Sequence, residues 1–296
     1  MIVLTTPTGG IGRQVLDRVL NSGEAFRVIA RDPSRLPEEV RTRAEVVPGS
    51  HGDAETISKA LVGADRLFWL VPPPGFAAPI GAVKHYLDFT GPLSRALEDR
   101  GIGVVGVTSL GHGYQGRSGL LEAAFAMDAL IEGTGTPYRA LALPFFMENL
   151  LRQVESIKEQ GSFSMANAAD RPLLTVATRD AATAAAGLLL DSSWSDQARV
   201  PVVSPDNLTP NEMAAVISDV LGRPISYHQV PIEGLRAQMQ QHGAGPALAE
   251  GMPEMIEAQN DGIYDAEPLA PRGSKVAGET SFRQWCVDTL EPAVRG

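Results

Sequence analysis

Thr6, Thr8, Gly9, Gly10, Ile11 and Gly12 stand between an apolar run, Ile2 to Leu4, and a stretch of helical period that begins at Arg13. A glycine-rich turn in that setting suits the binding of a phosphate. Glycine has no Cβ, so its backbone N–H can approach an anion closely, and the N-terminus of the following helix adds a favourable dipole. Val15, Leu16, Val19 and Leu20 form one apolar face, as a helix lying on a sheet requires. A bare strand-to-helix turn could show the same glycines; the strand before them and the amphipathic helix after them favour a nucleotide. The pattern departs from the full dinucleotide fingerprint at one place, where Thr6 occupies the position of the first glycine.

Arg31 and Arg35 select among the nucleotides. They follow a second strand, Phe26 to Ala30, in Arg31-Asp32-Pro33-Ser34-Arg35. An acidic residue closing this strand takes the ribose hydroxyls of NAD, whereas an arginine can grip the extra 2′-phosphate of NADP through a charge-assisted fork. Arg31 therefore points to NADP(H). The alternatives are that both arginines are solvated surface charges, and that Asp32 serves NAD.

The search for a proton donor starts from the pair most familiar on such a sheet, a tyrosine with a lysine four residues later. Thr90, Ser118, Ala142, Pro231 and Pro268 stand four positions after the five tyrosines, and the lysines are Lys59, Lys84, Lys158 and Lys275. The pair is missing. Gly111-His112-Gly113-Tyr114-Gln115-Gly116 is the segment that could replace it, because histidine as a residue type can exchange a proton near neutral pH and glycines permit movement. His112, Tyr114 and Ser109 are the catalytic candidates, against the plain reading of a solvent loop. Thr108 and Ser109 can also hydrogen-bond a nicotinamide or a substrate oxygen. No histidine has the spacing of a zinc site and no Gly-x-Ser-x-Gly occurs, so metal and nucleophilic chemistry are not expected.

The elements that position these groups alternate along the chain. Strands are expected at 2–5, 26–30, 44–47, 66–71, 103–107 and 138–143. Helices are expected at 10–20, 54–61, 80–100 and 120–132. Such alternation calls for a parallel sheet with helices on both faces, an α/β doubly wound fold of Rossmann type. Its ligand edge lies at the carboxyl ends of the strands, where the glycine turn, Arg31, Val71 and Pro72, and Thr108 and Ser109 would converge. Pro144 and Phe145, after the sixth strand, join them as cofactor contacts, and Phe145, Phe146 and Met147 are candidates for an apolar substrate wall. Beyond Pro144 the texture changes to longer loops, a strand at 200–203 and helices near 210–221, 233–242 and 246–261, a smaller region that should cap the crevice. The apolar stretch 181–190 reads as a buried helix. The Pro-, Ala- and Gly-rich segment from Tyr264 to Lys275 reads as a loop.

Composition narrows the partners. The 296 residues, 44% hydrophobic and 20% charged, are those of a globular protein. A net charge of −10 with no basic run argues against nucleic acid. The N-terminus has no signal-peptide pattern, and no run is long enough to span a membrane. A single cysteine, Cys286, beside Phe282 and Trp285, excludes an internal disulfide and fits a reducing cytoplasm and a packing role.

Taken together these residues resemble the NmrA-like atypical short-chain dehydrogenases, a family of NADPH-dependent quinone and dye reductases and of catalytically silent nucleotide sensors. Thr5-Thr6-Pro7-Thr8-Gly9-Gly10-Ile11-Gly12 is similar to the family's Thr-Gly-Ala-Thr-Gly-x-x-Gly, and Arg31-Asp32-Pro33-Ser34 to its second-strand end. The run 133–138 with Pro144 to Asn149 resembles its strand-to-cap junction, 175–182 its return to the sheet, and 208–231 its cap. Ala124 stands where some members carry a basic residue four positions before the acid, here Asp128. The resemblance implies an NAD(P)-binding domain over 1–150, to which 172–203 returns, and a substrate-binding cap over 151–296. It also implies an NADP(H)-dependent oxidoreductase acting on a conjugated, electron-poor small molecule of quinone, enone or azo type. Such an acceptor spreads the charge delivered with a hydride, so the missing Tyr-Lys pair costs less. The alternative is a silent NADP(H) sensor that works through a protein partner. A homo-oligomer is compatible with either.

Overall fold

Near-continuous apolar runs such as Ile2-Val3-Leu4, buried at every position, demand cover on both faces of the sheet they build. The computed structural model describes residues 1–98, 100–266 and 278–296. Six strands supply the first half of the molecule: β1 (Ile2–Leu4), β2 (Phe26–Ala30), β3 (Glu45–Pro48), β4 (Arg66–Trp69), β5 (Gly103–Ser109) and β6 (Tyr138–Leu143). They alternate with α1 (Gly10–Ser22), α2 (Glu38–Arg43), α3 (Ala54–Ala60), α4 (Ala82–Leu97) and α5 (Glu122–Glu132).

The next elements are β7 (Phe145–Phe146), a 3-10 segment Met147–Gln153, α6 (Val154–Gln160), β8 (Ser162–Met165), β9 (Thr175–Val176), α7 (Thr178–Leu190) and β10 (Gln197–Pro201). After them come α8 (Pro210–Leu221), β11 (Ser226–Gln229), α9 (Ile232–Gln241), α10 (Pro246–Asn260) and a 3-10 turn Ile263–Ala266. The chain closes on α11 (Phe282–Trp285), a π turn Cys286–Leu290, and α12 (Glu291–Arg295).

The main sheet has seven strands in the order β10-β6-β5-β4-β1-β2-β3, all paired in parallel. This is the doubly wound Rossmann arrangement, with chain direction across the sheet reversing between β1 and β4. On one face Val15, Leu16, Val19 and Leu20 of α1 pack with Ala181, Ala182 and Ala185 of α7. Each fully buried large apolar side chain there contributes roughly 1.5–3 kcal/mol. The other face is covered by α3, α4 and α5 through Ile57, Leu61, Leu93, Leu97, Met127 and Ile131.

A third core lies beyond the sheet, where Phe163, Tyr227, Met213, Ile217, Phe282, Trp285 and the buried Cys286 pack together, so Cys286 is a core side chain. Here β8 pairs with β11 and β7 with β9, both in parallel. α8 has the limits its sequence signals require: Thr209 and Glu212 form a capping box, and Gly222 closes the helix at φ 66°.

Three expectations shift. The strand expected at 200–203 is β10 at Gln197–Pro201, the seventh strand of the main sheet; its first residues are exposed on the sheet edge and so form no apolar run. The helix expected from residue 80 begins at Ala82, after Gly81 in extended conformation. Tyr264 begins no loop but sits in a 3-10 turn that ends at Ala266; the rest of the segment to Lys275 lies outside the described residues. No helix among the described residues is long and apolar enough to cross a membrane.

Candidate functional site

The glycine turn is shaped by close contact rather than by flexibility. A Cβ on Gly12 would lie 2.0 Å from the Thr6 carbonyl oxygen and 2.8 Å from the Thr6 carbonyl carbon, so the helix can approach the turn only with glycine there. Thr6 has φ +49°, the left-handed region, and no other non-glycine residue among the described residues does so. It therefore adopts the conformation of the glycine it replaces, at a cost that is appreciable for a β-branched residue. The Gly9 N–H donates to the Thr6 carbonyl at 2.9 Å, which closes the turn.

α1 then starts without a side-chain cap at Gly9 and without an acidic residue in its first turn. Its first amides and dipole are thus left for a ligand. The Thr6 hydroxyl is buried with no partner among the described residues, and a Cβ on Gly10 would meet none of their atoms within 4 Å. Uncapped amides, an orphaned hydroxyl and a glycine-only approach fit a dinucleotide pyrophosphate.

Arg31 and Arg35 are both exposed beyond the end of β2, and neither forms an ion pair among the described residues. Asp32, by contrast, is committed. Its carboxylate accepts from the Ser34 N–H at 3.0 Å and from the Ser34 hydroxyl at 2.6 Å, and these bonds hold its carboxyl below the usual range. An acid already capping its own 3-10 turn is a poor ligand for ribose hydroxyls, which leaves the two guanidinium groups as the free recognition elements.

The remaining strand ends meet at a cavity of about 570 Å³ beyond β5 and β6. Thr108, Ser109, Pro144 and Phe145 line it, with Phe146, Leu120, Met165, Met239, Met252 and Met255 supplying apolar wall. Val71 is buried and Pro72 half-buried after β4; neither lines the cavity, and the Pro72 carbonyl accepts from His85 Nε2 at 2.9 Å. His51 is a core histidine edged against Trp69. Burial holds its imidazole down at about 4, and its Nε2 donates to the Leu70 carbonyl at 3.1 Å.

Beneath the cavity floor Asp128 of α5 is fully buried. It accepts from Thr108 Oγ1 at 2.6 Å, Tyr138 OH at 2.6 Å and the Arg199 guanidinium at 3.1 Å, and so ties β5, β6 and β10 together. Burial pushes its carboxyl up, while the hydrogen bonds and the Arg199 charge pull in the other direction. Thr108 is thereby occupied as a brace, and the Ser109 hydroxyl donates to the Leu110 carbonyl at 3.0 Å. Ala124, one turn before Asp128, lines the cavity and contributes no donor.

His112 is exposed with its ring edge on Phe125, and neither His112 nor Tyr114 is part of the cavity wall. The cause is Gly111, whose φ of +98° turns the chain away; a Cβ there would lie 2.3 Å from the Ile263 side chain, so the Ile263–Ala266 turn fills that space. That turn brings its own phenol to the cavity. Tyr264 OH accepts from Gln259 Nε2 at 2.9 Å, and Gln259 Oε1 accepts from Asn167 Nδ2 at 2.9 Å. No acceptor for the Tyr264 hydrogen occurs among the described residues, and burial raises its phenol far above its ordinary value, so it stays a neutral donor. Tyr86 of α4 also lines the cavity, but its hydroxyl has no hydrogen-bond partner among the described residues. The tyrosine-lysine search could not find Tyr264, because its partner is an amide five residues earlier on a helix of the cap.

Glu148 locks the cap to the sheet. Its carboxylate accepts from the Thr178 N–H at 3.0 Å, the Thr178 hydroxyl at 2.8 Å and Trp285 Nε1 at 3.3 Å, at the N-terminus of α7. The Thr178 hydroxyl also accepts from Gln14 of α1 at 3.0 Å. Glu148→Ala removes a charge-assisted cap and leaves these donors unmet; we expect urea unfolding to show a loss of about 2 kcal/mol, with Glu148→Gln in between. An unchanged midpoint would assign the junction's strength to apolar packing alone.

A family model described as NAD(P)H-binding matches residues 7–191. The chain is 26% identical over 302 residues to a (4-alkanoyl-5-oxo-2,5-dihydrofuran-3-yl)methyl phosphate reductase of Streptomyces griseus subsp. griseus, covering 98% of each chain. It is 26% identical over 265 residues to an NAD(P)H azoreductase of Xenophilus azovorans, covering 86% of each. Among solved structures, a Citrobacter sp. triphenylmethane reductase complexed with NADP(H) superposes with a TM-score of 0.81 at 20% identity, over 98% of this chain and 100% of that one. The last of these likenesses establishes the fold.

Proposed function

The chain belongs to the NAD(P)H-binding family, which bears out the resemblance to the NmrA-like short-chain dehydrogenases, and on that footing we propose that it is an NADP(H)-dependent reductase of conjugated, electron-poor small molecules of quinone, enone or azo type. The observation that carries this is the apolar cavity of about 570 Å³ at the carboxyl ends of β5 and β6, with one buried, oriented phenol in its wall. Its relatives' names, a butenolide reductase and an azoreductase, both denote conjugated acceptors. The chemistry such a cofactor supplies when bound is a hydride.

Gly9, Gly10 and Gly12 would hold the pyrophosphate, Arg31 and Arg35 the 2′-phosphate, and Thr108, Ser109, Pro144 and Phe145 the wall beside the nicotinamide. The chain's remaining task is to manage the charge that reaches the acceptor. As a conjugated system takes hydride at one end, negative charge gathers on the oxygen or nitrogen at the other, where the Tyr264 hydrogen can meet it. A solvent proton then completes the addition of two hydrogens. The apolar wall excludes water and strengthens that hydrogen bond. We divide the chain accordingly, with residues 1–150 and 172–203 as the nucleotide-binding part and the rest as the cap.

Steady-state oxidation of NADPH with menadione, a dimethylaminoazobenzene dye and an unsaturated lactone tests this reading; protein that binds NADPH yet reduces none of them would sink it. Nucleotide choice is tested separately. Arg31→Ala loses a charge-assisted contact, so NADPH affinity falls about ten- to hundred-fold while NADH affinity holds, because NADH lacks the phosphate. Equal losses for both nucleotides would assign Arg31 to the shared part of the ligand.

A further inference from the structure

Among the described residues Arg152 is the one charged residue in the wall of the cavity, and it is exposed there. The other polar side chains described there are neutral hydroxyls and amides, and the chain as a whole carries a net charge of −10. The guanidinium has no carboxylate partner among the described residues. Two acids lie in its own stretch of chain, and both are elsewhere: Glu148 is bound by Thr178 and Trp285, and Glu155 is exposed on α6 in no ion pair among the described residues.

The segment that carries Arg152 is a seven-residue 3-10 helix, Met147–Gln153. In a 3-10 helix residues three apart lie above one another on the same face. Asn149 and Arg152 are three apart, both line the cavity, and the Asn149 amide too has no partner among the described residues. Gln153, next in sequence, is by contrast spent on β8: its amide accepts from the Ser164 N–H at 2.8 Å and donates to the Ser164 carbonyl at 2.9 Å. A seven-residue 3-10 run thus places at the cavity wall, on one face, an exposed arginine with no ion pair and an amide with no hydrogen bond among the described residues.

We infer that the acceptor reduced in this chamber carries an anionic substituent, a carboxylate or a phosphate monoester, held by the Arg152 guanidinium with the Asn149 amide beside it. A planar fork of N–H donors matches two oxygens of either group, and the surrounding apolar wall takes the conjugated body of the molecule. In a chain of net charge −10, a cation at the cavity wall offsets the repulsion that an anion would otherwise meet there. This rests on the cavity being the reductase's substrate chamber.

Two measurements test it independently. In the first, phenyl phosphate and benzoate are titrated calorimetrically into the NADP-loaded protein, with phenol and benzamide as uncharged counterparts. The anions should bind more tightly than their counterparts, and Arg152→Gln should lower their affinity about ten- to hundred-fold, with Arg152→Lys restoring part of it. The stronger of the two anions identifies the substituent. In the second, NADPH oxidation is followed with dimethylaminoazobenzene and its 2′-carboxylate. The wild type should favour the carboxylate through KM, and Arg152→Gln should collapse that ratio. If Arg152→Gln lowers both dyes alike, or anion binding ignores the substitution, Arg152 only covers the cavity with its stem and the inference is overturned. Arg152-dependent anion binding without turnover of either dye would defeat the reductase reading and leave the anion site standing.

Discussion

Gly12→Ala is expected to abolish tight nucleotide binding and to weaken the fold at the same time. The new Cβ would stand 2.0 Å from the Thr6 carbonyl oxygen and 2.8 Å from its carbon, backbone atoms that cannot swing aside, and 2.8 Å from Thr6 Oγ1. Either α1 moves away from the turn, or Thr6 leaves its left-handed conformation; both dismantle the cradle of amides. Overpacking of this kind costs on the order of 1–3 kcal/mol, and displaced amides should reduce NADPH affinity by at least about a hundred-fold, roughly 2.7 kcal/mol. Gly10→Ala is the matched control. Its Cβ meets nothing within 4 Å, so the fold should keep or slightly gain stability, and any loss of affinity reports only the approach of the ligand. Urea unfolding and NADPH fluorescence titration of the two variants separate the effects. Wild-type affinity in Gly12→Ala would mean that the pyrophosphate lies elsewhere.

The contrast between Gly12 and Thr6 shows what a sequence makes legible. Gly12 could be placed because its requirement is local: strand, turn and helix are contiguous and the steric reason is carried by neighbouring residues. Thr6 looked like a defect, since a pattern of residue types does not reveal that a threonine has taken a glycine's φ of +49°. The sheet was equally legible, because buried parallel strands are apolar throughout, and only the exposed edge strand β10 was misplaced by a few residues. The short pairings of β7 with β9 and β8 with β11 were invisible. Each strand has only two or four residues, and its partner lies far along the chain. His112 lies away from the cavity for a related reason. Its position beside β5 suggested the crevice, but Gly111 turns the chain outward to make room for Ile263, some 150 residues later. The residue we propose in its place, Tyr264, comes from the very segment that fills that room.

Tyr264→Phe is expected to reduce kcat for an enone acceptor by about 10²–10³-fold, the usual cost of losing one oriented donor to a developing oxyanion in a dry site. NADPH affinity should not move, because the phenol belongs to the cap wall and not to the glycine turn. The loss should be smaller for a quinone, which divides the incoming charge between two carbonyls, and this dependence on acceptor is what a purely structural role would not produce. Tyr86→Phe removes a hydroxyl that no described residue hydrogen-bonds, so it should cost less than Tyr264→Phe on every acceptor. Gln259→Leu should reproduce part of the Tyr264→Phe effect, since Gln259 Nε2 fixes the phenol oxygen at 2.9 Å. The pH dependence follows from the direction of the phenol's shift. Burial raises it above its ordinary value near 10, so the neutral donor persists and the rate should show no decline from phenol ionisation as pH rises toward that value. A rate that falls through neutrality in the wild type but not in Tyr264→Phe would show an ionising Tyr264 and overturn the assignment. Equal losses on enone and quinone, with lowered stability, would reduce Tyr264 to a packing residue of the cap.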